Sequence, residues 1–465
     1  MTGVLSLQFL GLTGISSILL WIFRGKTRQY AVLVCNIAFL VLLKANPADY
    51  AYLTGLVLYS WGGGVLLSRK KSRWLLLMTD LIPIVGLCWF KYAGYFLPSA
   101  GILMPIGLSY YSFKAVSYLT DVEMNRCETK NPVLVFDYLV FFPAFFAGPI
   151  HRPADFYRQM EEVFEFNYQD QKNGCVLAGL GLFEKLVVAS ELGSLAEILL
   201  AENYTGWYTV LGMLLYSFYI YVDFDAYSNV AIGAARMMGI HLERNFWTPY
   251  LSANLREFWR RWHISLSTWL RDYIYIPLGG GRKGLARKCL NTVIVFLVSG
   301  FWHGSTIMFI WWGLGHGIFS VLEDLIRQPF KKHKLHKPLR LILRPVLVVF
   351  NFLLVTFLWI FFRAPSMSQA LAVIASIRSA FGTPIRSMNL VSAGIPQNES
   401  VWMMILLGMV LFSDLLRHGH DMIQWLAERP FLIRWLIYFI FMIIAIIFGV
   451  YGPGYHVEDF IYVTF

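Results

Sequence analysis

Charge is scarce in this sequence: of 465 residues, 14% are Asp, Glu, Lys or Arg, where a soluble domain carries about 25%. That deficit excludes an ordinary water-soluble fold. Cysteine is scarce as well. The five present (Cys35, Cys88, Cys127, Cys175 and Cys289) are scattered without CxxC spacing, which argues against a disulfide framework and against a zinc site. HExxH and GxSxG are missing, so neither a metal nor a serine nucleophile is indicated. No nucleic-acid-binding motif accompanies the formal charge of +11. The longest polar stretches (151–174, 240–288, 324–340 and 380–400) are too short for an extramembrane domain of any size. No internal repeat is visible, which disfavours transporter folds built from duplicated halves.

What fills the chain instead is apolar sequence, 57% of all positions. A membrane span needs ~20 mostly apolar residues. Candidate spans run roughly over 4–23, 29–44, 50–68, 74–90, 102–120, 133–150, 176–200, 206–224, 289–302, 305–322, 341–362, 401–416 and 431–451. Some are short or kinked, so the expectation is ~10–12 crossings with re-entrant or interfacial helices besides. The chain reads as one all-α, polytopic integral membrane domain over 1–465. Within it, 1–100 hold N-terminal spans, 101–325 form a middle section and 326–465 hold the C-terminal spans. The first apolar segment lacks a basic start and a small-residue cleavage site, and reads as a retained span. Basic loops orient the chain: "RGKTR" (24–28), "RKKSR" (69–73), 282–288 and 327–344 should face the cytoplasm, which puts the N-terminus outside a cell membrane.

The middle section carries the unusual polar residues. On a helix over 254–271, with Asn254 and Glu257 as a capping pair, Leu255, Trp259, Trp262, Leu266, Trp269 and Leu270 share one face. Arg256, Arg260, His263, Ser267 and Arg271 share another. Such a helix lies at an interface or lines a wet cavity. Its arginines are then either snorkelling anchors or a docking surface for an anionic group such as a cofactor phosphate. The glycine run Gly279–Gly281 with Arg282 and Lys283 lacks phosphate-loop spacing and reads as a cytoplasmic turn.

The second centre is "VSGFWHGSTIMFIWWGLGHG" (298–317). His303 ends an apolar run at membrane depth, where an ionisable residue is expensive and usually functional; His316, among glycines, reads as a packing residue. Imidazole titrates near neutral pH, so the permitted chemistry is base-assisted attack by a substrate hydroxyl. Asp223 and Asp225 sit at the end of a span, and "FFPAFFAGPIHRPADFYRQM" (141–160) passes from apolar sequence to His151, Arg152 and Asp155. Both are either ordinary span ends or re-entrant elements lining a cavity.

Several of these segments, "FWRRWHISLSTWLRDYIYIPLGG", "VSGFWHG", "YIYVDFDAYSNVAIG", "FFPAFFAGPIHR", "PIGLSYYSFKAVSYLTDV" and the closing "FIYVTF", resemble the membrane-bound O-acyltransferase (MBOAT) family. The likeness is to its bacterial alginate O-acetyltransferase branch and, more distantly, to the D-alanyl transfer proteins of teichoic-acid modification. It implies a ring of transmembrane helices around a central tunnel, with an acyl thioester entering from the cytoplasm and a hydroxyl acceptor from the other face. It makes His303 the catalytic histidine and general base, and His263 the second site position, orienting the donor or stabilising developing charge. Arg256, Arg260, Trp262, Ser267, Arg271, Trp302, Asp223 and Asp225 would bind the donor or line the chamber. No bound cofactor or metal is implied. The donor would be acetyl-CoA or an acyl-carrier thioester, and the acceptor a cell-surface polysaccharide or an extracytoplasmic acetyltransferase partner that modifies it. D-alanyl transfer to teichoic acid and non-enzymatic transport of an acyl donor are the alternatives. His151 stands where the resemblance predicts an apolar or small residue, which bears on the chamber's lining or its acceptor preference.

Overall fold

The computed structural model describes residues 6–97, 104–128, 131–162, 165–328, 337–419 and 421–451. The N-terminal residues, Lys331, Lys332 and Lys334 of the basic run and the closing "FIYVTF" lie outside the described residues. Every regular element among those described is helical. Among the described residues seven helices are long and apolar enough to cross a membrane: Lys26–Leu43, Pro47–Arg69, Arg73–Gly94, Leu285–His303, Leu341–Arg363, Gln397–Gly419 and Phe431–Phe448. The last has no fully buried residue and leaves most of its apolar surface exposed, touching the protein through residues such as Phe441, 4.8 Å from Phe183, as suits a lipid-facing helix.

The described chain forms two compact units. The first is built from 6–182 and 227–244, the second from 183–226 and 245–451. In the first, α1 (Leu7–Ile22), α2 (Lys26–Leu43), α3 (Pro47–Arg69) and α4 (Arg73–Phe96) are followed by α5 (Leu108–Glu123), α6 (Pro132–Val140) and α7 (Pro153–Glu161). α5 packs against α3, α4 and α6 and is buried from Leu108 to Val122.

The predicted span 133–150 is not a span. α6 stops after nine residues and a single 3-10 turn, Phe142–Ala144, follows. Pro143 cannot continue a helical ladder, and the side chain of Asn36 supplies an acceptor for one freed backbone donor. Its Nδ2 donates to Asp137 (2.9 Å), and its Oδ1 accepts from the Phe142 N–H (3.0 Å). Broken backbone at this depth is tolerated because protein groups satisfy it. Arg28, from the basic loop "RGKTR", is 1% exposed. Its guanidinium donates to the carbonyls of Gln159, Met238 and Gly239 at 3.1–3.3 Å, a cation on a helix C-terminus where the dipole favours it.

α8 (Tyr168–Phe183) runs through a π turn, Glu184–Ala189, into α9 (Ser190–Leu199), and α10 follows over Trp207–Met237. The second unit continues with α11 (Leu255–Trp259), α12 (Ile264–Leu270), a π turn at Arg271–Tyr275, α13 (Leu285–His303), α14 (Ile307–Arg327) and α15 (Lys337–Arg363). It closes with α16 (Met367–Ala380), α17 (Gln397–Gly419), α18 (Met422–Ala427) and α19 (Phe431–Phe448). α13 and α14 pair closely because Gly300 and Gly313 face each other. A Cβ on Gly300 would strike the carbonyl of Phe309, and one on Gly313 that of Phe296.

Candidate active site

His303 is the last residue of α13, 3% exposed. The glycine-lined approach of α13 and α14 brings its ring to Trp312 (4.9 Å between centroids), and Phe362 of α15 lies 5.5 Å away. Its neighbour Trp302 sits 4.8 Å from it, edge-on.

His263 is reached differently. The expected helix over 254–271 begins as predicted: Asn254 Oδ1 accepts from the Glu257 N–H (2.9 Å), and Glu257 reaches back to the Ala253 N–H (3.0 Å). It does not continue. α11 ends at Trp259, and His263 adopts left-handed backbone angles, φ 43° and ψ 57°, before α12 starts. For a non-glycine residue this conformation costs about 1–3 kcal/mol and clusters at functional sites. The predicted separation into an aromatic and a basic face is therefore lost. His263 is fully buried, with Phe224 edge-on at 4.7 Å and Trp302 at 6.3 Å. Trp302 is thus a ring neighbour of both histidines.

The remaining predicted site residues divide into several groups. Trp262 is buried in the aromatic core against Phe246, Phe258 and Trp359 (5.0–5.3 Å). Ser267 donates to the Trp262 carbonyl (3.1 Å). Arg256 pairs with Asp324, which also holds Lys288 at 2.5 Å. Arg260 and Arg271 are exposed, the latter paired with Asp272 (2.7 Å). The basic stretch is largely a carboxylate-tied lattice: Glu257 takes Arg261 (2.6 Å) and Arg344 (3.2 Å).

Asp223 and Asp225 are not at a helix end; both lie well inside the 31-residue α10. Asp223 meets Lys185 at 2.6 Å, with both side chains buried. Asp225 meets Arg417 at 2.6 Å, and Arg417 also holds Glu184 at 2.9 Å. Glu184 and Lys185 open the π turn after α8, so this irregular turn supplies one charge to each partner. The two aspartates anchor α10 on either side of Phe224, the residue that meets His263.

His316 is the residue whose environment the sequence understates. It is fully buried; Trp259 Nε1 donates to its Nδ1 (3.3 Å), and Trp312 stands 5.1 Å away. Trp312 therefore stands beside both His303 and His316. His151 belongs to the first unit, boxed by Tyr138, Phe141 and Phe156 at 5.1–5.8 Å. It lines a cavity of about 370 Å³ with Arg152, Asp155, Arg158, Gln159 and His241.

Two buried imidazoles against one indole, with seven helices among the described residues apolar and long enough to cross a membrane, can be set beside known proteins. The family model described as membrane-bound O-acyltransferase matches residues 73–364, more than half of the chain. The chain belongs to the membrane-bound O-acyltransferase family. The matched region includes all three histidines of the aromatic cluster. Among individual members, the chain is similar to a "Probable alginate O-acetylase AlgI" of Pseudomonas aeruginosa, 34% identical over 368 residues, 74% of this chain and 66% of that protein. It thus spans just under two thirds of that relative's length. It is 32% identical over 348 residues to a "Peptidoglycan O-acetyltransferase" of Helicobacter pylori, covering 65% of this chain and 64% of the relative. A "Teichoic acid D-alanyltransferase" of Streptococcus thermophilus is 26% identical over 324 residues, 64% of this chain and 77% of the other.

Proposed function

We propose that this chain transfers an acyl group, acetyl in the first instance, from a thioester donor to a hydroxyl of a cell-surface polysaccharide or of a partner protein that modifies it. The observation that carries the reading is the pair of buried imidazoles, His303 and His263, both set against Trp302. In the reaction, an imidazole nitrogen of His303 takes the acceptor's hydroxyl proton as its oxygen attacks the thioester carbonyl. The C–S bond breaks, and the departing thiolate recovers the proton as a thiol. His263 orients the donor carbonyl or stabilises the negative charge that builds on its oxygen; fixed dipoles in a water-excluded site are effective at this. Acetyl-CoA and a carrier-bound acyl group are both donors of the right chemistry. The names of the alginate and peptidoglycan relatives, both above 30% identity, favour acetyl over D-alanyl. The basic loops at 24–28 and 69–73 support a cytoplasmic donor side and an extracytoplasmic N-terminus in the cell membrane.

The test is transfer of labelled acetyl from acetyl-CoA by the protein in nanodiscs, with thioester cleavage and labelling of added glycan as readouts. His303→Ala should lower turnover about 10²- to 10⁴-fold, the usual weight of a general base. Unchanged thioester cleavage in a folded His303→Ala protein would remove His303 as the base. Movement of the donor across the bilayer that survives loss of both imidazoles would favour transport.

A further inference from the structure

We propose that Asn245 is a positioning residue for His263: it supplies, from outside the helix, the capping bonds that His263 would otherwise have to make. The inference rests on the assignment of His263 to the reaction centre.

The residue preceding the first turn of a helix normally caps it, with its own side chain accepting from one of the first N–H groups. His263 holds that position before α12, yet its side chain makes no capping bond. The first two donors it leaves, those of Ile264 and Ser265, are met by Asn245, in a segment that returns from α10. The Asn245 carbonyl accepts from the Ile264 N–H (2.9 Å). Its Oδ1 accepts from the Ser265 hydroxyl (2.6 Å) and from the Ser265 N–H (3.4 Å). Two residues along, the Trp247 N–H donates to the Arg261 carbonyl (2.9 Å). The two segments are therefore bonded on both sides of the left-handed residue, and neither end can relax into continuous helix without breaking them. Asn245 is 1% exposed and Ser265 equally buried, so no bulk solvent competes for these bonds.

The consequence is specific to the imidazole. Relieved of capping, the His263 ring turns to Phe224 (4.7 Å) and Trp302 (6.3 Å). If Asn245 lost its amide oxygen, the Ser265 donors would need a new acceptor, and the nearest cap by position is the His263 side chain itself. The ring would then leave the indole.

The experiment places 5-fluorotryptophan at position 302 of the full chain in nanodiscs and follows its ¹⁹F resonance, with thioester cleavage measured in parallel. His263→Ala calibrates the shift caused by losing the imidazole. Asn245→Ala should move the resonance in the same direction by a comparable amount. Asn245→Asp, which keeps the oxygen, should restore it, and Ser265→Ala should give a smaller displacement of the same sign. Asn351→Ala removes another buried amide of this unit, one that donates to the Ser252 carbonyl (3.0 Å), and should leave the resonance in place. In the parallel assay, Asn245→Ala should lose about tenfold or more in kcat with little change in KM, as loss of a transition-state interaction does. An unmoved resonance in Asn245→Ala overturns the proposal, as does an equal shift in Asn351→Ala, which would mean general loosening. Should Asn245→Ala fail to fold, Ser265→Ala decides: no displacement overturns it. If the resonances behave as expected but His263→Ala cleaves thioester at the wild-type rate, the positioning stands and the functional role of His263 falls.

Discussion

His303 closes a regular 19-residue helix, whereas His263 interrupts one. Both end against the same tryptophan, but they are held there by different physics. His303 is placed by close packing: two glycines let α13 and α14 approach, and the aromatic residues of α14 and α15 surround the ring. His263 is placed by directed hydrogen bonds that maintain an unfavourable backbone conformation. Packing tolerates gradual change, because neighbouring side chains shift and the loss is graded. A hydrogen-bonded kink has two states, formed or not. Around Trp302 the first device fixes where one imidazole sits, and the second fixes how sharply the other is aimed.

The comparison can be broken most severely at the anchor of α10. Lys185→Met leaves Asp223 buried without its counter-ion, a change that typically costs about 3–5 kcal/mol. It should lower the thermal unfolding temperature of the detergent-solubilised protein far more than the double change Lys185→Met with Asp223→Leu, which removes both charges. Equal losses in the two variants would mean that the pair contributes through volume alone. On the packing side, Gly313→Val pushes a side chain into the Phe296 carbonyl and should cost about 1–3 kcal/mol, with a matching fall in melting temperature. A wild-type melt would show that the α13–α14 approach has slack. The smallest effect belongs to the exposed edge. Arg256→Ala removes a side chain that is 47% exposed and paired with Asp324, and surface pairs contribute about 0–1 kcal/mol. Its melt should be close to wild type; a large loss would promote the carboxylate-tied lattice to a determinant of the fold.

The two devices were unequally legible in the sequence. Apolar runs located α13 and α15 to within a few residues, and the Asn254–Glu257 pair marked the start of α11, because hydropathy and capping are local properties. His303 stood out as an ionisable residue ending an apolar run. The kink at His263 did not stand out. Residues 254–271 have a clean helical periodicity, and what overrides it is Asn245, acting from another segment. Asp223 and Asp225 were noticed for their charge, but their partners Lys185 and Arg417 are 38 and 192 residues away, beyond any spacing rule. The broken turn after α6 could be suspected from Pro143. That Asn36 repairs it could not, for the same reason of distance.

Arg28 has a consequence for biosynthesis. Its carbonyl partners at Met238 and Gly239 are 210 and 211 residues further along the chain, and the first unit is completed by 227–244. A ribosome has made about half of the protein before that arginine can be covered. Until then two of its three carbonyl acceptors are still unsynthesised, and only that of Gln159 has been made. The N-terminal spans are thus inserted early and assembled late, and truncation anywhere before residue 239 should yield a nascent chain that is in the bilayer but not yet folded.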